Sequence, residues 1–317
     1  MGLTAMKIRA NGIDLEVEDS GAAFDAQGRP RPVVLLIMGL GMQLIAWPPE
    51  MVQGLVDTGY RVVRFDNRDA GLSQHFEALG KPKVLWVGLK YRLGWRIRPP
   101  YSLLDMARDA LGVLDALQID TAHVVGASMG GMIAQRLTLL APARVLSLTS
   151  VMSSSGARGL PGPAPEVSRV LMRRPAGKGL DAAIDHSVRV FKTIGSPGFA
   201  MRDADWRDLV GTAARRSLYP VGILRQMVAV LADRTRADEL AGIQVPTLVA
   251  HGRADPLVPF ACAEDTARRI PGARLAGIDG MGHDLPPGVV ERLLALLIPH
   301  LDAANPTTPL RNHEQPS

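Results

Sequence analysis

One cysteine, Cys262, in 317 residues leaves this chain no internal disulfide and no thiolate cage for a metal. A reducing compartment suits such a composition, and Cys262 itself reads as a small helix residue. No apolar run follows Lys7 and Arg9, so the N-terminal pattern of a secretory signal is missing. Met6 stands where N-myristoylation after Met1-Gly2 would need Ser or Thr. The longest uncharged stretch, Pro32 to Pro49, is barely long enough to span a bilayer. Gly39-Leu40-Gly41 and Pro48-Pro49 interrupt it, and a buried strand, a loop and a helix start account for it better. The expectation is a cytoplasmic protein with no stable membrane anchor. The net charge of +5, from 36 basic and 31 acidic residues, comes without any nucleic-acid-binding motif, which argues against nucleic-acid binding. Internal repeats are also missing. Acid is locally absent from Lys81 to Arg98, which carries Lys81, Lys83, Lys90, Arg92, Arg96 and Arg98.

What is present is the composition of a globular protein: 47% hydrophobic and 21% charged residues, with length for one large domain plus an insertion, or for two domains. Met6 to Arg9 and Ile13 to Val17 flank Asn11-Gly12, a hairpin signal. Gly21 to Arg31 reads as a polar loop. Val33 to Ile37 is continuously apolar, as a strand covered on both faces must be. Trp47 to Val56 reads as a helix, Tyr60 to Phe65 as a strand, Leu103 to Leu117 as a helix and Arg144 to Leu148 as a strand. This alternation predicts an α/β fold with a mostly parallel central sheet flanked by helices. It stops near Ser153. Residues 154–238 are rich in Gly, Pro and Arg, with helical patches at Ala182 to Phe191 and Val221 to Leu231, and read as an inserted helical cap. Sheet signals resume at Pro246 to Ala250 and Ala273 to Ile278, with helices near Ala261 to Arg269 and Val289 to Leu301. Residues 1–153 and 239–302 would form the core, and 303–317 a flexible C-terminal tail, frayed from Pro306 onward.

The chemistry is concentrated in Ala122 to Gln135, AHVVGASMGGMIAQ. An apolar strand ends in Gly126-Ala127-Ser128-Met129-Gly130, and an amphipathic helix follows. G-x-S-x-G between a strand and a helix is a nucleophile elbow, whose sharp turn exposes a strained serine and needs small residues around it. Two further loops fall at predicted strand ends. One is His251-Gly252-Arg253-Ala254-Asp255-Pro256; the other is Asp279-Gly280-Met281-Gly282-His283-Asp284. The order Ser128, Asp255, His283 suits a triad in which His283 is the general base and Asp255 fixes its tautomer. Asp255 also reads as an Asx-turn residue before proline. His251 reads as structural and His123 as a core or edge histidine, while His75 and His186 have no informative neighbours. The backbone N–H groups of Leu40, in the glycine loop after the first buried strand, and of Met129, at the start of the helix, are candidates for the oxyanion hole.

These stretches, LLIMGLGMQLIAWP, VVRFDNRDAGLS, AHVVGASMGGMIAQ, PTLVAHGRADPLVP and GMGHDLP, resemble the α/β-hydrolase superfamily from about Val33 to Pro286. They are most similar to a bacterial esterase branch that includes aclacinomycin methylesterases and mycobacterial lipase- and thioesterase-type hydrolases. Met38 stands where most of the superfamily carries the histidine of a His-Gly pair. The resemblance implies an α/β-hydrolase fold and a serine hydrolase that needs neither cofactor nor metal and cleaves a small-molecule carboxylic ester. It leaves the substrate open, because specificity belongs to the cap and loops. Thioesters, lactones and long-chain lipids suit the same machinery. Cofactor-free haloperoxidase or perhydrolase chemistry, and a non-catalytic ligand-binding role, remain alternatives, as does any oligomeric state. In the cap, Trp206, Tyr219, Leu224 and Met227 are candidates for an apolar acyl pocket or for cap-to-core packing. Arg225-Gln226 are candidates for a polar substrate contact. Trp86, Tyr91 and Trp95, interleaved with Lys90, Arg92 and Arg96, suggest an acyl-chain entrance, an anionic membrane contact or an ordinary packed loop.

Overall fold

The hairpin at the N-terminus is made by Asn11 and Gly12, both left-handed with φ of 47° and 78°. It joins β1 (Thr4–Ala10) to β2 (Ile13–Asp19). This is a computed structural model that describes residues 2–21, 23, 24, 27, 28 and 30–305. Part of the polar loop Gly21 to Arg31, and the tail expected from Pro306, therefore lie outside the described residues. The remaining strands are β3 (Val33–Ile37), β4 (Arg61–Phe65), β5 (Ala122–Ala127), β6 (Val145–Val151), β7 (Thr247–Gly252) and β8 (Arg274–Ile278). They form one eight-stranded sheet in the order β1-β2-β4-β3-β5-β6-β7-β8. β2 runs antiparallel to its neighbours, and β4 through β8 are parallel.

Eleven α-helices accompany this sheet among the described residues. They are α1 (Pro49–Asp57), α2 (Val84–Arg92), α3 (Leu103–Ala116), α4 (Met129–Leu140), α5 (Pro165–Met172), α6 (Leu180–Ile194), α7 (Asp203–Arg216), α8 (Pro220–Ala232), α9 (Arg236–Glu239), α10 (Ala261–Arg269) and α11 (Pro287–Ala303). The apolar run of β3 explains the layering. Val33, Leu35 and Ile37 join the core beneath α3 and α4, whereas Val34 and Leu36 join the core beneath α1 and α11. Alternate side chains of a strand point to opposite faces, so a strand covered on both sides has to be apolar throughout. Each such side chain contributes about 1.5–3 kcal/mol relative to leaving it in water. Cys262 is buried on α10 and unpaired. His123 is a core histidine, held by Ser147 Oγ at 2.8 Å and Asn305 Oδ1 at 2.9 Å. Asn305 also donates to Tyr60 Oη at 3.0 Å, so the chain is anchored to the core as far as residue 305.

Two stretches differ from the sequence reading. Lys81 to Arg98 contains helix α2 rather than being loop throughout. None of the residues of α2 is buried, so no apolar stripe with helical spacing marks it. Between β6 and β7 the helices α5 and α7 accompany α6 and α8, whose patches were legible. α5 starts at Pro165, and α7 carries Asp203 and Asp205 in its first turn and Arg215 and Arg216 in its last. Those charges suit the helix dipole, but the segment's many breakers obscure the period.

The sheet order places the site. The chain builds outward from β3 to β4 on one side and from β5 to β8 on the other, so β3 and β5 lie side by side with diverging connections. The carboxyl ends of strands at such a switch point leave a crevice for a ligand. Ile37 is paired with Gly126 there.

Candidate active site

Ser128 occupies the turn between β5 and α4 with φ 55° and ψ −121°. A left-handed φ is costly for a residue with a Cβ and persists only where the surroundings enforce it. The glycines show what enforces it. A Cβ on Gly126 would lie 2.2 Å from Gly130 O, and one on Gly130 would lie 1.9 Å from Ile37 O. The turn thus closes to van der Waals contact against β3. Ser128 N donates to Val151 O at 2.9 Å, and Ser153 Oγ donates to Ser128 O at 2.7 Å, fixing the backbone from the β6 side.

The three residues expected to act together do meet. His283 Nε2 is 3.0 Å from Ser128 Oγ, and His283 Nδ1 is 2.7 Å from Asp255 Oδ2. Asp255 Oδ1 accepts from the N–H groups of Leu257 at 2.9 Å and Val258 at 2.8 Å. Asp255 thus makes an Asx-type turn through one oxygen and meets the imidazole of His283 through the other. His251 Nε2 reaches Val258 O at 2.7 Å and lies 3.3 Å from Asp255 Oδ2. Burial by itself would raise the Asp255 pKa. The charge of His283 and hydrogen bonds from His251 and His283 outweigh it, and hold the carboxyl well below the usual range. The group is an anion at neutral pH.

The loop after β3 comes over the serine. Gly39 packs so closely that a Cβ there would sit 3.0 Å from Ser128 Cβ. Leu40 follows it, and the N–H of Gly41 donates to Gln226 Oε1 at 2.7 Å. Met38, in place of the more usual histidine, is buried, and its carbonyl accepts from Asn67 Nδ2 at 2.8 Å. Met129 opens α4, where the first N–H groups have no intrahelical acceptor.

The proposed pocket residues are not gathered in one place. Trp206 is buried, stacks on Phe191 and borders a cavity of about 400 Å³ beside Ala254, Pro256 and Asp284. Tyr219, Leu224 and Met227 do not border that cavity. Tyr219 stacks on His75 with ring centroids 4.0 Å apart and accepts from Arg225 Nη1 at 3.2 Å. His75, uninformative in sequence, thus packs on the residue that precedes α8. Leu224 and Met227 are partly buried on α8, whose Ile223 is the side chain that crowds Gly41. Arg225 and Gln226 bind protein groups. Arg225 pairs with Asp69 at 2.9 Å in full burial, and Gln226 Nε2 donates to Arg68 O at 2.8 Å. A buried guanidinium without a carboxylate partner would be prohibitively costly, which explains the pairing.

Sequence reasoning missed a second set of contacts. The loop carrying His283 is tied to the connection after α6. His283 N donates to Ile194 O at 2.7 Å, Gly282 N to Ser196 Oγ at 2.8 Å and Gly198 N to Gly280 O at 2.9 Å. Ser196 Oγ in turn donates to Asp284 Oδ1. Burial pushes the Asp284 carboxyl up to about 6, against the lowering effect of the Ser196 hydrogen bonds. Ser196 lies in Gly-Ser-Pro-Gly, which announces a turn in sequence and nothing more.

A strained serine on a strand–turn–helix, at the switch point of a mostly parallel sheet, defines the class as an α/β-hydrolase architecture. The chain belongs to the alpha/beta hydrolase fold family, whose model matches residues 32–286. It is 32% identical over 292 residues to rhodomycin D methylesterase DauP of Streptomyces sp. strain C5, covering 86% of this chain and 91% of that protein. It is also 32% identical to rhodomycin D methylesterase DnrP of Streptomyces peucetius over 293 residues, again 86% and 91% of the two chains. Among solved structures, the enol-lactonase of Burkholderia xenovorans LB400 superposes with a TM-score of 0.70 at 20% identity. That match covers 94% of this chain and all of the other (100%). At that identity the likeness shows a common fold.

Proposed function

We propose that this chain is a carboxylic ester hydrolase that works through an acyl-enzyme on Ser128. The observation that carries the reading is the continuous hydrogen-bonded path from Ser128 Oγ through His283 to Asp255. His283 Nε2 takes the hydroxyl proton as Oγ attacks the ester carbonyl, and Asp255 stabilises the imidazolium so formed. The N–H groups of Leu40 and Met129 hold the developing oxyanion, a contribution of about 2.7–4 kcal/mol per donor in enzymes of this type. His283 returns the proton to the departing alcohol. A water activated by the same imidazole then releases the acid and restores Ser128.

The helices between β6 and β7, within residues 154–238, act as a cap over this site, with residues 1–153 and 239–302 as the core. α8 supports this reading, because its Gln226 and Ile223 lie against Gly41 in the loop after β3. The substrate is a small-molecule ester with an apolar portion, and the relatives named as methylesterases favour a methyl ester of a larger acid. A cytoplasmic location suits the single unpaired cysteine.

The test is the initial rate on p-nitrophenyl esters from acetate to palmitate, and on methyl esters of aromatic acids, with Ser128→Ala alongside. The reading requires turnover that falls by roughly 10³-fold or more in the variant. A maximum at palmitate would assign the chain to long-chain lipids instead. Absence of Ser128-dependent turnover on every ester would reject hydrolysis.

A further inference from the structure

The segment around α2 gathers the largest run of exposed apolar side chains among the described residues, and Lys81 to Arg98 around it carries six basic residues and no acid. Leu85 is 93% exposed, and Trp86, Leu89, Tyr91, Leu93 and Trp95 are each exposed by between 43% and 52%. An ordinary packed excursion would bury these side chains; the first residue of the segment to be buried is Ile97. Trp86 and Trp95 meet edge to face with centroids 6.2 Å apart, and Lys90 Nζ lies 5.6 Å from the Trp86 ring. No acid occurs between Ala78 and Leu104. Helix α8, against which α2 rests, carries none either. Arg158 approaches Gly94, and Arg234 lies over the Tyr91 ring at 5.2 Å and donates to Tyr91 O at 3.2 Å, so neighbouring elements add positive charge.

We propose that α2 and its flanks dock reversibly on an anionic lipid surface, with Leu85, Trp86 and Trp95 entering the headgroup boundary and the surrounding lysines and arginines meeting lipid phosphates. Indole and phenol rings are amphipathic and settle at the boundary between headgroups and acyl chains. Lysine and arginine keep their charge in the phosphate layer while their stems lie along apolar surface. The charge selects an anionic surface over a neutral one. Among the described residues no helix is long and apolar enough to cross a membrane, so the association is peripheral. Arg225 Nε donates to Gly80 O at 2.9 Å, joining the start of this segment to the helix that also holds Gly41 through Gln226. The docked face therefore adjoins the cover of the serine site, from which an apolar ester dissolved in the bilayer is reached.

Binding is read without turnover, by co-sedimentation with phosphatidylcholine vesicles and with vesicles containing about one-third phosphatidylglycerol. Tryptophan emission gives a second reading. Of the four tryptophans, Trp47 and Trp206 are buried, so a blue shift reports Trp86 and Trp95. A basic residue near such a surface strengthens binding by about fivefold. Lys90→Gln with Arg92→Gln and Arg96→Gln is therefore expected to weaken partitioning roughly a hundredfold. Trp86→Ser with Leu89→Ser is expected to abolish the blue shift and most of the binding. Both variants should keep the wild-type melting temperature, because none of these side chains is buried. Equal partitioning into neutral and anionic vesicles, or full binding by both variants, would overturn the proposal. So would concentration-dependent dimerisation that disappears in Trp86→Ser with no vesicle binding by wild type, which would assign the surface to a second copy of the chain.

Discussion

Gln226 Oε1 accepts the N–H of Gly41 at 2.7 Å, so a residue of α8 holds the loop that approaches Ser128. Gln226 is fully buried, and its amide nitrogen donates to Arg68 O. Replacing it by alanine deprives the buried Arg68 carbonyl and the half-buried Gly41 N–H of this partner, at about 1–3 kcal/mol for the buried group. If the loop supplies an oxyanion donor, Gln226→Ala should lower kcat by about tenfold to a hundredfold with little change in KM. The check is a kcat and KM pair at a temperature where the variant is folded. A lowered melting temperature with unchanged kcat would confine Gln226 to packing.

Asp284 gives a pH prediction. Its carboxyl titrates near 6 in the folded chain and near 3.8 when unfolded. Between those values the native state holds a proton that the unfolded state has released. The stability it contributes is therefore complete below about pH 4, declines as pH rises to about 6, and is flat above. Asp284→Asn should remove that decline and be roughly 2–3 kcal/mol better placed relative to wild type at pH 7 than at pH 4. Urea unfolding across this range measures it.

The loop that carries His283 gives a prediction on turnover, because Ser196 ties it to the connection after α6. Ser196→Ala, which deletes the hydroxyl that bridges Gly282 N and Asp284, should lower kcat more than it changes KM. Unchanged kcat in a folded Ser196→Ala variant would confine Ser196 to packing.

Asp255→Asn is expected to reduce kcat by about 10³–10⁴-fold. An amide accepts from Leu257 and Val258 through its carbonyl and then turns an N–H toward His283, which selects the wrong tautomer. Folding should survive, because the loop's own hydrogen bonds are kept. Near-normal kcat in a folded variant would remove Asp255 from the proposed mechanism.

Two glycines bracket the packing of the elbow. Gly130→Ala would set a Cβ 1.9 Å from Ile37 O and should prevent folding or cost several kcal/mol. Gly88, inside α2, has nothing within 4 Å of such a Cβ. Gly88→Ala should therefore stabilise by about 0.5–1 kcal/mol. Thermal melts of the two variants are enough to check this pair.

Local patterns determined a good deal by themselves. Strands buried on both faces have to be apolar throughout, so β3 and the elbow strand β5 were legible. A strained serine needs glycine beside it, and the two loops at strand ends that carry Asp255 and His283 were legible as its candidate partners. Ser128, Asp255 and His283 could therefore be nominated as candidates from order and context, and the fold brings their side chains within hydrogen-bonding distance. Tertiary structure decided what depends on partners remote in the chain. Gln226 was ambiguous until Gly41, 185 residues away, appeared opposite its amide. Ser196 looked like a turn residue until it met Gly282 and Asp284. The helix α2 hid because it buries no face, and periodicity is the trace that burial leaves in a sequence. Where a side chain answers to a distant backbone group or to solvent, nothing in its local pattern records the fact.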